Sequence, residues 1–135
     1  MNFTPRKLNL FTLFKLPSAF FSGVRTKSID AQKCVVVVKH RWINQNPFKS
    51  MFWAAQGMAA ELSTGVLVMK GIENSGKNVS MLVTHQNGSF TKKATGKIRF
   101  ECHDGDLVSN AIEASSKTGD GKVITMKSEG FNSEG

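Results

Sequence analysis

The sequence has few cysteines. Its 135 residues contain only two, Cys34 and Cys102, which lie far apart and match no metal-ligand spacing. A disulfide framework in so short a chain would need more of them. We therefore interpret both as reduced thiols, which predicts a cytoplasmic protein without a bound metal.

Long apolar runs are absent as well. A helix that spans a bilayer needs roughly 20 consecutive apolar residues, and no stretch of this chain approaches that length. The apolar N-terminal stretch, residues 7–23, is interrupted by Lys15 and Pro17 and is not followed by a small-residue cleavage site. The sequence therefore predicts neither membrane insertion nor a signal peptide.

Acidic residues are also scarce. Ten of them stand against 18 lysines and arginines, which gives a formal net charge of +8. This charge predicts an anionic partner, and nucleic acid, a membrane surface or a phosphorylated ligand would each fit. The densest basic stretch, residues 91–100, alternates with apolar residues as a solvated strand does. Because no nucleic-acid-binding motif appears, nucleic acid is not the expected partner.

Two helices are predicted from the apolar spacing. Residues 6–21 predict a short amphipathic helix that is broken before Pro17. The second helix is predicted to start at Pro47 with Asn46 as its cap and to run to about Met69, because apolar residues recur there every three or four positions. Its other faces carry alanine and glycine instead of charges, which predicts a helix enclosed by protein on all sides.

The rest of the chain predicts strands. Two are expected between Val24 and Ile43, and the run Val35–Val38 is typical of a buried or central strand. Beyond the central helix, apolar runs alternate with turn signals at residues 86–89, 103–106 and 118–121, which predicts an antiparallel meander. The expected fold class is α+β, one long helix against one antiparallel sheet.

The chain is predicted to consist of an N-terminal helical segment, residues 1–22, and a single domain, residues 23–135. The glycine-rich end, residues 127–135, contains a turn that leads into no further strand. We therefore expect the last strand of the sheet to be missing from a chain truncated at its C-terminus.

The segment "NPFKSMFWAAQGMAAELSTG", residues 46–65, resembles the central helix of PaaI-like acyl-CoA thioesterases, and most closely that of an uncharacterised family related to them. Asn46 and Glu61 stand at the spacing of that family's motif, and "FTKKATGKI", residues 90–98, is similar to one of its strands. The resemblance implies a hotdog fold, in which an antiparallel sheet wraps one long helix. It also implies a homodimer or higher homo-oligomer with sites at subunit interfaces, and an acyl-CoA or acyl-carrier substrate. CoA would be part of the substrate, and no cofactor is expected.

Thioester hydrolysis needs a base or an attacking carboxylate, together with donors for the developing oxyanion. Glu61, set within an apolar helix, is the candidate base or nucleophile, and Asn46 is the candidate for orienting water or the carbonyl. The backbone N–H groups of Phe52 and Trp53 are the candidate oxyanion donors. The candidate substrate-binding residues are Met58, Ser63, Thr64, Lys92 and Lys93, of which the resemblance places the lysines near the CoA phosphates.

One departure from the family pattern matters for the chemistry. Where many relatives have histidine and glycine, this chain has Phe52 and Trp53, and none of its three histidines lies in the predicted helix. A catalytic mechanism must therefore do without histidine. The alternative is a non-catalytic hotdog module that binds an acyl or lipid-like ligand.

Each candidate also has a purely structural interpretation. Glu61 would then lie at an exposed edge of the helix, and Asn46 would be a helix cap. Ser63 and Thr64 would bond back to their own helix, the apolar candidates would be core residues, and the lysines would be solvated.

Overall fold

The N-terminus forms two short helices. In the computed structural model, which describes residues 3–135, α1 spans Pro5–Lys15 and α2 spans Pro17–Phe21. Thr4 caps α1 by accepting a hydrogen bond from the N–H of Lys7. The predicted break before Pro17 is confirmed. No helix within residues 3–135 is long and apolar enough to cross a membrane.

Within residues 3–135, four strands form one antiparallel sheet in the order β1-β2-β3-β4. They are β1 (Arg25–Ile29), β2 (Cys34–Lys39), β3 (Lys97–Cys102) and β4 (Glu129–Phe131). β2 pairs with β1 on one side and β3 on the other, and Val35, Val36 and Val38 are buried. The prediction of a central, buried valine strand is confirmed.

The long helix α3 spans Trp53–Ser75 and ends at Gly76, whose φ is +67°. The prediction that it starts at Pro47 with Asn46 as cap is wrong, because Phe52 is the N-cap residue. The side chain of Asn46 instead accepts hydrogen bonds from the N–H groups of Phe48 and Ser50. These bonds hold the preceding residues in a loop.

One face of α3 packs on the sheet and the other does not. The buried residues of the packed face are Ala55, Ala59, Leu62, Ser63, Val66 and Leu67. The opposite face, defined by Gly57, Glu61, Thr64, Gly65 and Val68, is exposed or half-buried. The expectation of a helix enclosed on all sides is therefore wrong for the single chain, and we refer to this second surface as the open face of α3.

The segment after β3 was predicted as a turn and a strand, and this prediction is wrong. It forms helix α4, Gly105–Thr118, which ends at Gly119 with a φ of +77°. The N–H of Gly105 donates to the carbonyl of Gln32, and a Cβ at Gly105 would overlap the carbonyl oxygen of Ala31. This close approach fixes the start of α4 against the turn between β1 and β2.

Residues 79–94 were predicted to form strands, and this prediction is also wrong. The chain from residue 78 to residue 92 contains no helix or strand, and its backbone forms no hydrogen bond with any other part of residues 3–135. All side chains of residues 80–93 are exposed. A strand needs a neighbour to pair with, and the described chain offers none here.

Candidate functional site

A cavity of about 310 Å³ lies at the start of α3. The residues that matter for its chemistry are Asn46, Phe48, Phe52, Trp53, Phe90 and Lys92. Four of these, Asn46, Phe52, Trp53 and Lys92, are candidates from the sequence. A second cavity of about 330 Å³ lies between α3 and α4, and no candidate residue lines it. The first cavity is therefore the candidate functional site.

Asn46 organises the loop that forms one wall of the cavity. Its Oδ1 accepts from the N–H of Phe48 at 2.8 Å, and its Nδ2 donates to Ser50 Oγ at 3.0 Å and to the carbonyl of Met51 at 3.3 Å. Gln45 and Met51 close the loop as an isolated antiparallel bridge. Both ends of the Asn46 amide are thus occupied by the loop, which positions the residues that follow.

The first helical N–H groups of α3 point out of the helix end. The N–H of Phe52 donates to the carbonyl of Asn44 at 2.7 Å, so this proposed oxyanion donor is not free. Within residues 3–135, the N–H groups of Trp53 and Ala54 donate to no acceptor, as is usual in a first helical turn. The helix dipole adds partial positive charge there, so the pair can stabilise a carbonyl oxygen that becomes negative.

Aromatic rings supply the apolar part of the site. The rings of Phe52 and Trp53 are 6.0 Å apart and inclined by 57°. Phe48 and Phe90 are 70% and 62% exposed, so the cavity has apolar walls that are open to solvent. Met58 lies elsewhere, half-buried against the core. It is a core contact in this chain and does not line the cavity.

Of the two lysines, Lys92 lines the cavity. Lys93 is exposed, and its Nζ donates to the carbonyl of Phe48 at 3.1 Å. Both cations therefore lie at the mouth of the site, where they can interact with an anionic group that remains in solvent.

Glu61 does not line this cavity. It lies eight residues beyond Trp53, about 12 Å along the helix axis, and its side chain is exposed on the open face of α3. The sequence interpretation of an enclosed carboxylate therefore does not hold within one chain.

The two hydroxyl candidates bond to their own helix. Ser63 is buried, donates to the carbonyl of Ala60 at 2.6 Å and shares a hydrogen bond of 2.7 Å with Ser128. Thr64 donates to the carbonyl of Glu61 at 2.8 Å. Neither hydroxyl lines the cavity.

Several residues of the cavity were not identified from the sequence. Phe48 and Gln56 are close to the motif, and Gln56 Nε2 donates to the carbonyl of Met51 at 3.1 Å. Phe90 comes from a distant segment. The resemblance of residues 90–98 to a family strand is the only sequence signal that points to that region. The free N–H of Ala54 could be found only once the true start of α3 was known.

Comparison with known proteins finds a matching family and similar solved structures. The model of a family described as "Domain of unknown function (DUF4442)" matches residues 6–125. No curated protein matches the chain. A solved protein of unknown function from Chlorobaculum tepidum TLS is similar over 96% of this chain and 79% of its own, with 21% identity and a TM-score of 0.81.

A second solved structure, a protein of unknown function from Pseudomonas aeruginosa, is described as a probable thioesterase. It is similar over 98% of this chain and 87% of its own, with 18% identity and a TM-score of 0.75. Both structures are hotdog folds. The predicted α+β hotdog architecture is therefore confirmed.

Proposed function

The chain belongs to the DUF4442 family of hotdog-like domains, and from this premise we propose that it is a thioesterase that hydrolyses an acyl-CoA or acyl-carrier thioester. The fold shared with a probable thioesterase supports the reaction class. The observation that carries the proposal is the cavity at the start of α3, where the unpaired helix N–H of Trp53 meets aromatic walls.

The proposed reaction is attack of water on the thioester carbonyl. A carboxylate accepts the proton of the attacking water while the carbonyl oxygen becomes an oxyanion, which the N–H groups of Trp53 and Ala54 stabilise. Collapse of the tetrahedral intermediate breaks the carbon–sulfur bond. The acyl group leaves as a carboxylic acid, and the thiolate takes up the proton.

We propose that Glu61 is this carboxylate and that it serves the cavity of a second copy of the chain. Its separation of about 12 Å along the helix from Trp53 is too large for action at the cavity of its own chain. In the proposed homodimer, Glu61 of each chain would face the cavity of the other chain. The two-fold axis would repeat this pairing and give two equivalent sites. Asn46 then acts as a positioning residue, through the loop that it organises.

Two uncovered surfaces support a second copy as the partner. The open face of α3 is built from small residues around Glu61, and a Cβ added at Gly65 would meet nothing within 4 Å. Residues 78–92 expose unpaired backbone together with Met81, Leu82 and Val83. An extended segment of this kind gains its hydrogen bonds by pairing with another strand.

The cavity also suggests how the substrate is held. We propose that Lys92 and Lys93, at the mouth of the cavity, bind the phosphates of CoA or of a carrier's prosthetic group. The aromatic walls would take the acyl group, and about 310 Å³ is at the lower end for ligand pockets, which favours a short chain. We propose a cytoplasmic site of action, in keeping with the unbridged thiols of Cys34 and Cys102.

Thiol release from acyl-CoAs of graded length, measured with the parent and with defined variants, tests the reaction. Trp53→Ala keeps the backbone N–H and Trp53→Pro removes it. Proline is tolerated at the first helical position, and the extended Phe52 before it (φ −60°, ψ +136°) is compatible with proline. We expect Trp53→Pro to be at least about tenfold slower than Trp53→Ala. Equal rates would contradict an oxyanion role for this N–H.

Mixing two variants, each impaired at a different residue of the proposed site, tests the shared site. In a random mixture of Glu61→Gln and Trp53→Pro chains, half of the dimers are mixed and each has one intact site. About a quarter of the parent activity should therefore return. A site built within one chain would give no recovery.

A non-catalytic module that binds an acyl or lipid-like ligand is the second candidate. It is favoured by the position of Glu61 outside the cavity and by the absence of histidine from the cavity lining. Saturable binding of acyl-CoA without thiol release, by a parent protein that is dimeric and folded, would establish this function in place of the thioesterase.

A further inference from the structure

The helix α1 is apolar on both faces. Leu8 is 1% exposed and packs against the core. Leu10 and Phe14 lie four residues apart on the opposite face, where they are 50% and 74% exposed. Arg6 and Lys7 are exposed on that same face. We call these four residues, Arg6, Lys7, Leu10 and Phe14, the outward face of α1.

The charges of the chain are distributed unevenly. Residues 1–60 contain nine lysines and arginines but one acidic residue, Asp30, whereas residues 61–135 contain nine of each sign. The entire net charge of +8 therefore lies in the first 60 residues. The basic residues are spread along the whole chain, and it is the missing acids that make the N-terminal part cationic.

Further exposed apolar side chains lie at the end of α2, the helix that follows α1, and in the turn that contacts it. Phe21, at the end of α2, is 61% exposed, and Trp42 is 82% exposed in the 3-10 turn Trp42–Asn44. Asn44 Nδ2 donates to the carbonyl of Ser22 at 2.9 Å, which brings this turn against the end of α2. The guanidinium of Arg25 lies 3.6 Å from the centroid of the Phe20 ring, so aromatic rings and cations are interleaved here.

We propose that the outward face of α1 is a docking surface for a membrane rich in anionic phospholipids. Leucine and aromatic side chains enter the boundary between headgroups and acyl chains, and flanking lysines and arginines are attracted by the negative surface. This is adsorption of a folded domain to one leaflet without spanning it. The proposal is independent of the proposed thioesterase activity.

The charge pattern favours lipid over two other occupants. A second copy docked here about a two-fold axis would bring like charges together, because such an interface uses the same patch twice. A single-stranded nucleic acid would suit the cations and aromatic rings, but an aliphatic side chain such as Leu10 gains little from bases and phosphates. An anionic bilayer attracts the cations through its headgroups and also accepts the aliphatic side chains at the boundary with its acyl chains.

Flotation of the 135-residue chain with vesicles tests the proposal. Vesicles of phosphatidylcholine containing 30 mol% phosphatidylglycerol should bind the parent at least about tenfold better than pure phosphatidylcholine, and high salt should release it. The double variant Leu10→Ser/Phe14→Ser should lose at least about tenfold in binding. Arg6→Gln/Lys7→Gln should lose about 25-fold, roughly fivefold for each charge.

Matched controls remove similar groups elsewhere. Val123 is 82% exposed and Lys122 is exposed beside it, so Val123→Ser and Lys122→Gln should bind vesicles like the parent. All four proteins carry surface substitutions and should keep the parent's circular dichroism and Tm.

Three results would overturn the proposal. The first is equal binding of the parent to anionic and neutral vesicles, or no binding to either. The second is unchanged binding by both double variants. The third is that Leu10→Ser/Phe14→Ser keeps vesicle binding but loses another interaction that the parent shows, either self-association or binding of single-stranded DNA.

Discussion

The two faces of α3 are similar in composition and differ in what covers them. The packed face lies on the sheet and is closed by the chain's own residues, with Ala59 and Val66 fully buried. The open face is just as free of lysine and arginine, yet it is exposed or half-buried and holds the only charged residue of the helix before Lys70, Glu61. A helix that is apolar all round is normally enclosed. We therefore propose that one face serves folding and the other an interaction beyond the chain.

The largest difference should appear when a side chain is shortened on each face. Leu62, on the packed face, is 7% exposed, and Leu62→Ala should lower the free energy of unfolding by about 3 kcal/mol because it leaves a cavity. Val68→Ala, on the open face, should cost less than about 1 kcal/mol. Urea unfolding at a protein concentration that keeps the chain monomeric measures both. Equal losses would show that the open face is covered by the chain itself.

The thiols beneath the packed face give the next largest effect. Burial raises the pKa of Cys34 to about 12 and that of Cys102 to about 11, from 9.0. Because the unfolded thiols ionise first, stability is retained below pH 9 and lost as the pH rises above it. At pH 10 the loss should be about 1 kcal/mol for each thiol.

A comparison of pH profiles isolates this effect. The double variant Cys34→Ala/Cys102→Ala should be less stable overall but should lack the additional fall in the free energy of unfolding between pH 8 and pH 10. A profile parallel to that of the parent would mean that the thiols are already accessible in the folded state.

Two glycines of α3 sharpen the comparison at a smaller scale. A Cβ at Gly65 would meet nothing, whereas one at Gly71 would lie 2.9 Å from Val108 Cγ1 and 3.1 Å from Ile112 Cδ1. Gly65→Ala should therefore stabilise the monomer by about 1 kcal/mol through helix propensity. Gly71→Ala should gain less than this or lose stability, because α4 must move. Identical Tm shifts would contradict the different surroundings of the two sites.

The parts of the fold that follow from local pattern were predictable. The valine run of β2 follows from the preference of β-branched side chains for strands. The break before Pro17 follows from the geometry of the proline ring. The start of α3 was predicted too early because the side chain of Asn46 forms its hydrogen bonds within a loop. An asparagine at this position has the same sequence pattern whether it caps a helix or stabilises such a loop. In α4, Val108 and Ile112 carry a helical spacing that the surrounding polar residues obscured.

The long-range parts were not predictable from pattern. The apolar alternation around Met81 and Val83 indicates a strand, but a strand depends on a partner, and residues 78–92 find none within the described chain. Contacts between distant segments also depend on the fold. The family resemblance was needed to predict that Asn46, Trp53 and Lys92 belong to one site, and Phe90 and the free N–H of Ala54 were identified only from the structure. Glu61 was predicted as a site residue, and its place in the site stays a prediction that requires a second chain.

We propose that Glu61, on the open face of α3, is a catalytic carboxylate, and thioester turnover measures this role. Thiol release from short, medium, long and aromatic acyl-CoAs should be measured for the parent, for Glu61→Gln and for Glu113→Gln, a control at an exposed carboxylate that pairs with Lys117. The account predicts turnover by the parent, a loss of about 100-fold or more in Glu61→Gln and no change in Glu113→Gln. Turnover that survives in Glu61→Gln, or a folded dimeric parent that turns over none of these thioesters, would contradict it.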